Sequence, residues 1–98
     1  MAQFDVYANR DGQLLLDCQA DALANLSTRL VAPLVPVEDA PSLRPRLNPV
    51  FDLDGRDYAL ITQFAAAVSR AELQVHVASL ARHRYQIISA YDMMLTGV

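Results

Sequence analysis

Apolar and polar residues alternate at the start of the chain. Phe4, Val6 and Ala8 stand against Gln3, Asp5 and Tyr7, the period-two pattern of a half-buried strand. The polar stretch Asn9, Arg10, Asp11, Gly12, Gln13 reads as a turn, and the apolar run Leu14 to Gln19 returns from it, which predicts an antiparallel hairpin. Arg29 to Val35 is a third strand. Pro33 inside it has no N–H to give a ladder, so the expected position is an edge or a bulge. Pro36 to Pro49 carries Pro36, Pro41, Pro45 and Pro49 with Glu38 and Asp39, and reads as a long loop with extended pieces. Val50 to Leu53 and Asp57 to Thr62 flank Asp54 and Gly55, a dipeptide that favours a two-residue hairpin turn. From Gln63 to Val77 two readings stay open, a short strand over Ala71 to Val77 and a helical turn beginning within Phe64 to Val68.

From Ala78 the period changes. Leu80, Arg84, Ile87, Ile88, Tyr91, Met94, Leu95 and Val98 fall at helical spacing, with Ser79 placed to cap the helix. In the second half of this helix Ala90 and Met93 lie off the main stripe, so it is apolar on almost every side. Such a helix has to be buried on more than one face. One small domain covers one face, and a second copy would cover the other, so a two-fold homodimer is the physical expectation. The pattern as a whole predicts one α+β domain over residues 1–98.

Composition sharpens this picture in two ways. With 53% hydrophobic and only 19% charged residues, a 98-residue chain has more apolar surface than a small core absorbs, which again calls for a partner. The formal net charge is −3, and the eight cationic residues, all arginine, form no basic block, which argues against non-specific binding to phosphate backbones. Cys18 is the single cysteine, so neither an intrachain disulfide nor a thiolate metal cage can form within one chain. Met1 to Tyr7 has neither the basic start nor the apolar stretch of a signal peptide, and no 18-residue apolar run occurs, so the expected location is the cytoplasm.

Candidate chemistry is thin. His76 and His83 match no zinc spacing and read as structural histidines. Asp52, Asp54 and Asp57 around Gly55 lack the further ligands of a calcium loop and read as a solvated hairpin tip. Cys18, inside an apolar run without a basic neighbour, reads as a buried, inert thiol. Arg82, His83 and Arg84 are too few for nucleic-acid affinity and read as a solvated face or a salt-bridge partner. Tyr85 and Tyr91, at helical spacing, read as core or interface aromatics. No catalytic residue, metal site or cofactor is expected.

Several short segments resemble the CcdB-type toxin family. Gln3, Phe4, Asp5, Val6, Tyr7 is similar to its first strand. Asp17 to Asp21 resembles the second strand and the turn after it, and Arg29, Leu30, Val31, Ala32, Pro33, Leu34 resembles the third. Leu47, Asn48, Pro49, Val50 is similar to the entry to the next strand. Ala78 to Val98 lines up without a gap on the family's C-terminal helix, sharing Leu80, His83, Arg84, Ile87, Ala90, Met94 and Gly97. The resemblance implies a small, strongly bent, barrel-like antiparallel sheet with a C-terminal helix, dimerised so that the two helix ends meet on the two-fold axis, with Ala90, Met93, Met94 and Gly97 at the interface. In that family the paired ends insert between the A subunits of DNA gyrase and hold cleaved DNA, and a CcdA-like antitoxin with a disordered C-terminal segment wraps the dimer and removes it.

Carried over residue by residue, the resemblance gives Gln3, Phe4, Tyr7, Thr96, Gly97 and Val98 as the gyrase contact. Thr96 departs from the family's Trp, and Val98 replaces its terminal Ile. Ala20 and Ala22 stand where gyrase-binding members carry larger or more polar residues. Three functions follow: a toxin of a toxin–antitoxin pair of the plasmid-maintenance type, directed at gyrase; a dimeric antitoxin-binding relative whose target has been lost or changed; and an endoribonuclease like the similarly folded MazF toxins. The last needs an acid and base pair on an electropositive groove, which the acidic charge balance disfavours.

Overall fold

The computed structural model describes residues 1–98 and contains seven antiparallel strands and one α-helix. The strands are β1 (Asp5–Ala8), β2 (Leu14–Asp17), β3 (Thr28–Pro36), β4 (Val50–Leu53), β5 (Arg56–Leu60), β6 (Ala66–Ser69) and β7 (Val75–Ser79), and the helix is α1 (Arg84–Thr96). They form one sheet in the order β4-β5-β3-β2-β1-β7, with β6 beside β3. The nine-residue β3 divides one of its sides between two partners: Thr28–Val31 pairs with β6 and Leu34–Pro36 with β5. A sheet that forks in this way curls into a half-barrel, and α1 closes its concave side.

Pro33 is therefore not on an edge strand. It pairs with Leu15 of β2 in the middle of the sheet. It is tolerated because its backbone faces the gap where β3 changes partner from β6 to β5: its carbonyl accepts the Ile61 N–H at 2.9 Å, and its ring nitrogen points to the same side, where no ladder bond is required.

The first strand begins two residues later than the alternation suggests. Phe4 sits at φ 71°, a conformation uncommon for a bulky side chain, and two backbone bonds hold it there: its N–H reaches Asp17 O at 2.6 Å and its carbonyl accepts the Leu80 N–H at 2.8 Å. That second bond also moves the helix start. Backbone pairing with β1 persists through Ser79, Leu80 is fully buried, and the Ser79 hydroxyl accepts the Ala81 N–H of a 3-10 turn over Ala81–His83. Ser79 is therefore the last residue of β7 and not the helix cap: Leu80 precedes the 3-10 turn, His83 precedes α1, neither supplies a side-chain cap, and α1 starts only at Arg84. Of the two readings for Gln63 to Val77, the strand holds in part, as β7 begins at Val75 after a 3-10 turn at Arg70–Glu72; the helical turn does not, because a 3-10 turn over Thr62–Phe64 ends where that turn would begin and Ala66–Ser69 is drawn into β6 by its pairing with Thr28–Val31. β5 ends at Leu60, so Thr62 lies outside it. The Asp54–Gly55 turn has φ of 54° and 84° at its two central residues, as a two-residue hairpin of the primed type requires.

Both faces of the sheet are covered, which is why Leu14 to Leu16 reads as a continuous apolar run instead of an alternation. On the helix side Phe4, Val6, Leu16, Cys18, Ala32, Leu34, Phe51, Leu60, Leu80 and Ile87 form the main core. On the other side Tyr7 and Val31 pack with Leu73, from the link between β6 and β7. No helix is long and apolar enough to cross a membrane.

Candidate functional site

α1 is anchored by its middle and open at its end. Ile87 and Ala90 are fully buried and Tyr91 packs on the main core, whereas Leu95 and Val98 are each 78% exposed and Met94 is half exposed. The end of the helix is tied off. Gly97 adopts φ 75° and donates its N–H to Met93 O at 2.9 Å; a Cβ there would meet no neighbour, so the left-handed backbone alone calls for glycine. The Thr96 hydroxyl donates to Asp92 O at 2.7 Å and accepts the Val98 N–H at 3.2 Å. Thr96, Gly97 and Val98 thus form a fixed, solvent-facing terminus with an apolar tip.

The other three residues of the expected contact lie elsewhere. Gln3 is fastened three times: its N–H donates to Asp21 Oδ1 at 2.8 Å, its side-chain amide donates to Cys18 O at 3.1 Å, and its amide oxygen accepts from Arg84 Nη1 at 3.0 Å. Phe4 lies below the Arg84 guanidinium, 5.7 Å from its ring centroid, and is buried. Tyr7 is also buried, edge-on to His76 at 5.4 Å, with its hydroxyl donating to Asp5 Oδ2 at 3.4 Å. Phe4 and Tyr7 commit their rings to the protomer's own core, and only Gln3 with Arg84 faces outward. Arg84 and Thr96 are the first and last residues of the 13-residue helix, roughly 18 Å apart at 1.5 Å per residue, so a single chain does not bring the two groups together. Of the residues expected at the dimer interface, Met94 and Gly97 are exposed, Met93 is partly buried, and Ala90 is buried in its own protomer with no surface to offer another.

A charged pair lies beneath this site. Arg29 and Asp17, both without solvent exposure, pair through Nη2 at 2.6 Å and Nε at 3.1 Å to one carboxylate oxygen, while the other accepts the Gln19 N–H at 3.2 Å. Arg29 Nη1 has no partner. The pair locks β2 to β3 just before the Cys18–Asp21 turn that holds Gln3. Its trace in the sequence is an acid closing one apolar run and a base opening the next.

Burial pushes the Cys18 thiol up to about 12, an effect that the neighbouring Tyr91 hydroxyl offsets only in part. That hydroxyl is itself raised, by burial first and then by Cys18, and without hydrogen-bond geometry to any acceptor it stays unpaired. Tyr7 is raised by burial, with Asp5 and Asp17 adding to it. His76 lies 3.4 Å from Asp5, and His83 rests on Phe51 at 4.9 Å with Nδ1 3.1 Å from Gln86. The two histidines share no ligand set, and no group of three His, Cys, Asp or Glu side chains converges anywhere. Asp52, Asp54 and Asp57 are exposed at the hairpin tip, where Asp52 accepts the Gly55 N–H at 2.7 Å.

What this arrangement offers is a surface for binding: a tethered apolar helix tip, and a separate polar face made by Gln3 and Arg84. A family model described as CcdB protein matches residues 3–97. None of the curated proteins matches the chain.

Proposed function

The chain belongs to the CcdB family, and from that premise we propose that it is the toxin component of a type II toxin–antitoxin pair, acting by binding and without bond chemistry of its own. Two copies associate through the open end of α1, the paired tips engage the A subunit of DNA gyrase, and the cleaved-DNA complex is held. A CcdA-like antitoxin removes the dimer. The observation that carries this reading is the helix terminus: Met94, Leu95 and Val98 are exposed beside a Gly97 that fixes the backbone. An apolar surface of this kind at the end of a rigid element is one that a partner covers.

Thr96 favours a second reading, a relative that binds an antitoxin but whose target is no longer gyrase. Its hydroxyl is used within the helix end, and its short side chain offers a partner none of the area of an interface tryptophan, whose loss can cost ≥ 2 kcal/mol. Gel filtration with the antitoxin encoded beside the gene tests what both readings share, and unchanged elution sinks both. A cleavage assay with gyrase of the source organism separates them. Trapped cleaved DNA with the natural chain supports the first reading; trapping only with Thr96→Trp, or with neither, supports the second.

A further inference from the structure

Two of the residues that the resemblance names for the target contact converge on a third that it does not name. Arg84 opens α1 and is exposed, and its guanidinium lies 5.7 Å from the Phe4 ring centroid, within cation–π range. Its Nη1 donates to Gln3 Oε1 at 3.0 Å. Gln3 is held in turn by its N–H on Asp21 Oδ1 at 2.8 Å and by its side-chain amide on Cys18 O at 3.1 Å. Phe4 is 2% exposed and sits at φ 71°, pinned by backbone bonds to Asp17 and Leu80. A fixed ring below and a fixed amide beside it thus set the orientation of Arg84, while its Nε and Nη2 have no acceptor within the protein.

Folding alone does not call for an arginine at this place. The first turn of a helix carries the positive end of its dipole, where a cation is disfavoured. No carboxylate of the chain offsets the charge, because the protein's ion pairs are Arg29 with Asp17, Arg56 with Glu38, and His76 with Asp5. Phe4 is out of a partner's reach, and Gln3 engages both ends of its amide internally. The group that a partner meets on this face is the guanidinium. It presents two donors in one plane, an arrangement that matches the two oxygens of a carboxylate.

We propose that Arg84 is the specificity-determining contact of this face and binds a carboxylate of the target protein, with Phe4 as the platform beneath it and Gln3 as a positioning residue that acts through it. On the function proposed above, on which this assignment rests, the target is the A subunit of DNA gyrase. The contact stands roughly 18 Å from Thr96 along α1, so it anchors the target at a second point apart from the apolar tip. One arginine without a surrounding basic field favours a protein carboxylate over the phosphates of bound DNA, whose capture draws on many contacts.

The test measures binding of the full-length protein to the purified gyrase A subunit by fluorescence anisotropy, with and without DNA, beside the melting temperature of each variant. Arg84→Gln removes the charge from an exposed side chain, Gln3→Met removes the clamp, and Arg10→Gln, in the turn between β1 and β2, is the charge control. Without DNA, affinity should fall about tenfold or more with Arg84→Gln at an unchanged melting temperature, and stay unchanged with Arg10→Gln. It should also weaken with rising salt more steeply for the natural chain than for Arg84→Gln. Gln3→Met should lose several-fold alone and nothing further in the Arg84→Gln background, a coupling that a merely structural role would not produce. A loss that Arg10→Gln shares, a loss that appears only with DNA, a loss matched by a fall in melting temperature, or additive effects of the two variants overturns the assignment. A natural chain that binds the A subunit no better than Arg84→Gln removes the role of Arg84 alone; a natural chain that does not bind the subunit removes the parent reading as well.

Discussion

Removing one partner of the Asp17–Arg29 pair should be among the most damaging single substitutions in the protein. Both side chains are fully shielded from water, and the two hydrogen bonds between them, at 2.6 and 3.1 Å, leave no room for solvent to take over. Asp17→Leu strands a buried guanidinium that already has one unpaired nitrogen, and Arg29→Met strands a buried carboxylate. Either loss should cost about 3–5 kcal/mol. Domains of this kind have about 5–15 kcal/mol in total, so one substitution consumes a large share of the stability.

The double variant behaves differently. With both charges gone the desolvation penalty disappears too, and replacement of a buried pair by apolar side chains is often neutral or stabilising by about 1–4 kcal/mol. Here the Gln19 N–H also loses its acceptor at Asp17, a debit of about 1–3 kcal/mol for a buried donor. The double should therefore lie within about 3 kcal/mol of the natural protein, well short of the sum of the singles. Urea unfolding at fixed protein concentration reads this directly. With a slope of about 1–3 kcal/mol per M, each single should lower the midpoint by about 1 M or more. Singles that lose less than about 1 kcal/mol, as exposed pairs do, or a double equal to the sum of the singles, would refute the reasoning.

Two further outcomes follow from the core. The Cys18 thiol is held above its ordinary 9.0, up to about 12, and Tyr91 is raised in the same direction, so the folded state retains protons that the unfolded state releases. Their contribution is complete below pH 9 and is lost as pH climbs toward 12. Melting temperature should fall across that window, and the thiol should resist alkylation at pH 8 until the chain is unfolded; rapid alkylation of the native protein would contradict its placement. Ile87→Ala, at a fully buried position that anchors α1 to the sheet, should cost about 2–5 kcal/mol by the same urea assay, and a loss under about 1 kcal/mol would mean that the helix is not seated there.

The features readable in the sequence are those fixed by local chemistry. Asp54 and Gly55 announce their hairpin because both central residues must take positive φ, and the apolar excess of α1 is plain from its side chains alone. Features set by distant partners were hidden. Pro33 reads as an edge residue until it is known that β3 exchanges β6 for β5 on that side. The end of β7 and the start of α1 depend on Leu80 bonding to Phe4, 76 positions away, and nothing near Leu80 encodes that. β6, an Ala-rich strand with three of four residues exposed, has no alternation to reveal it and exists only through its register with Thr28–Val31.

The same division explains the site. The residues that the family resemblance names fall into two groups with opposite physical roles. Phe4 and Tyr7 are buried, Phe4 in the helix-side core, where its unusual backbone accepts the Leu80 N–H, and Tyr7 against Val31 and Leu73 on the other face. Met94 and Val98 are apolar and left in solvent, as is their neighbour Leu95, which the resemblance does not name. Thr96 and Gly97 join the roles, since their backbone and hydroxyl contacts stop the last turn from fraying. A tip already fixed in this way loses less conformational freedom when a partner covers it, so less of the contact energy is spent on ordering. A short hydroxyl side chain at position 96 therefore favours a preorganised helix end over direct contact area, the opposite balance to a tryptophan at the same place.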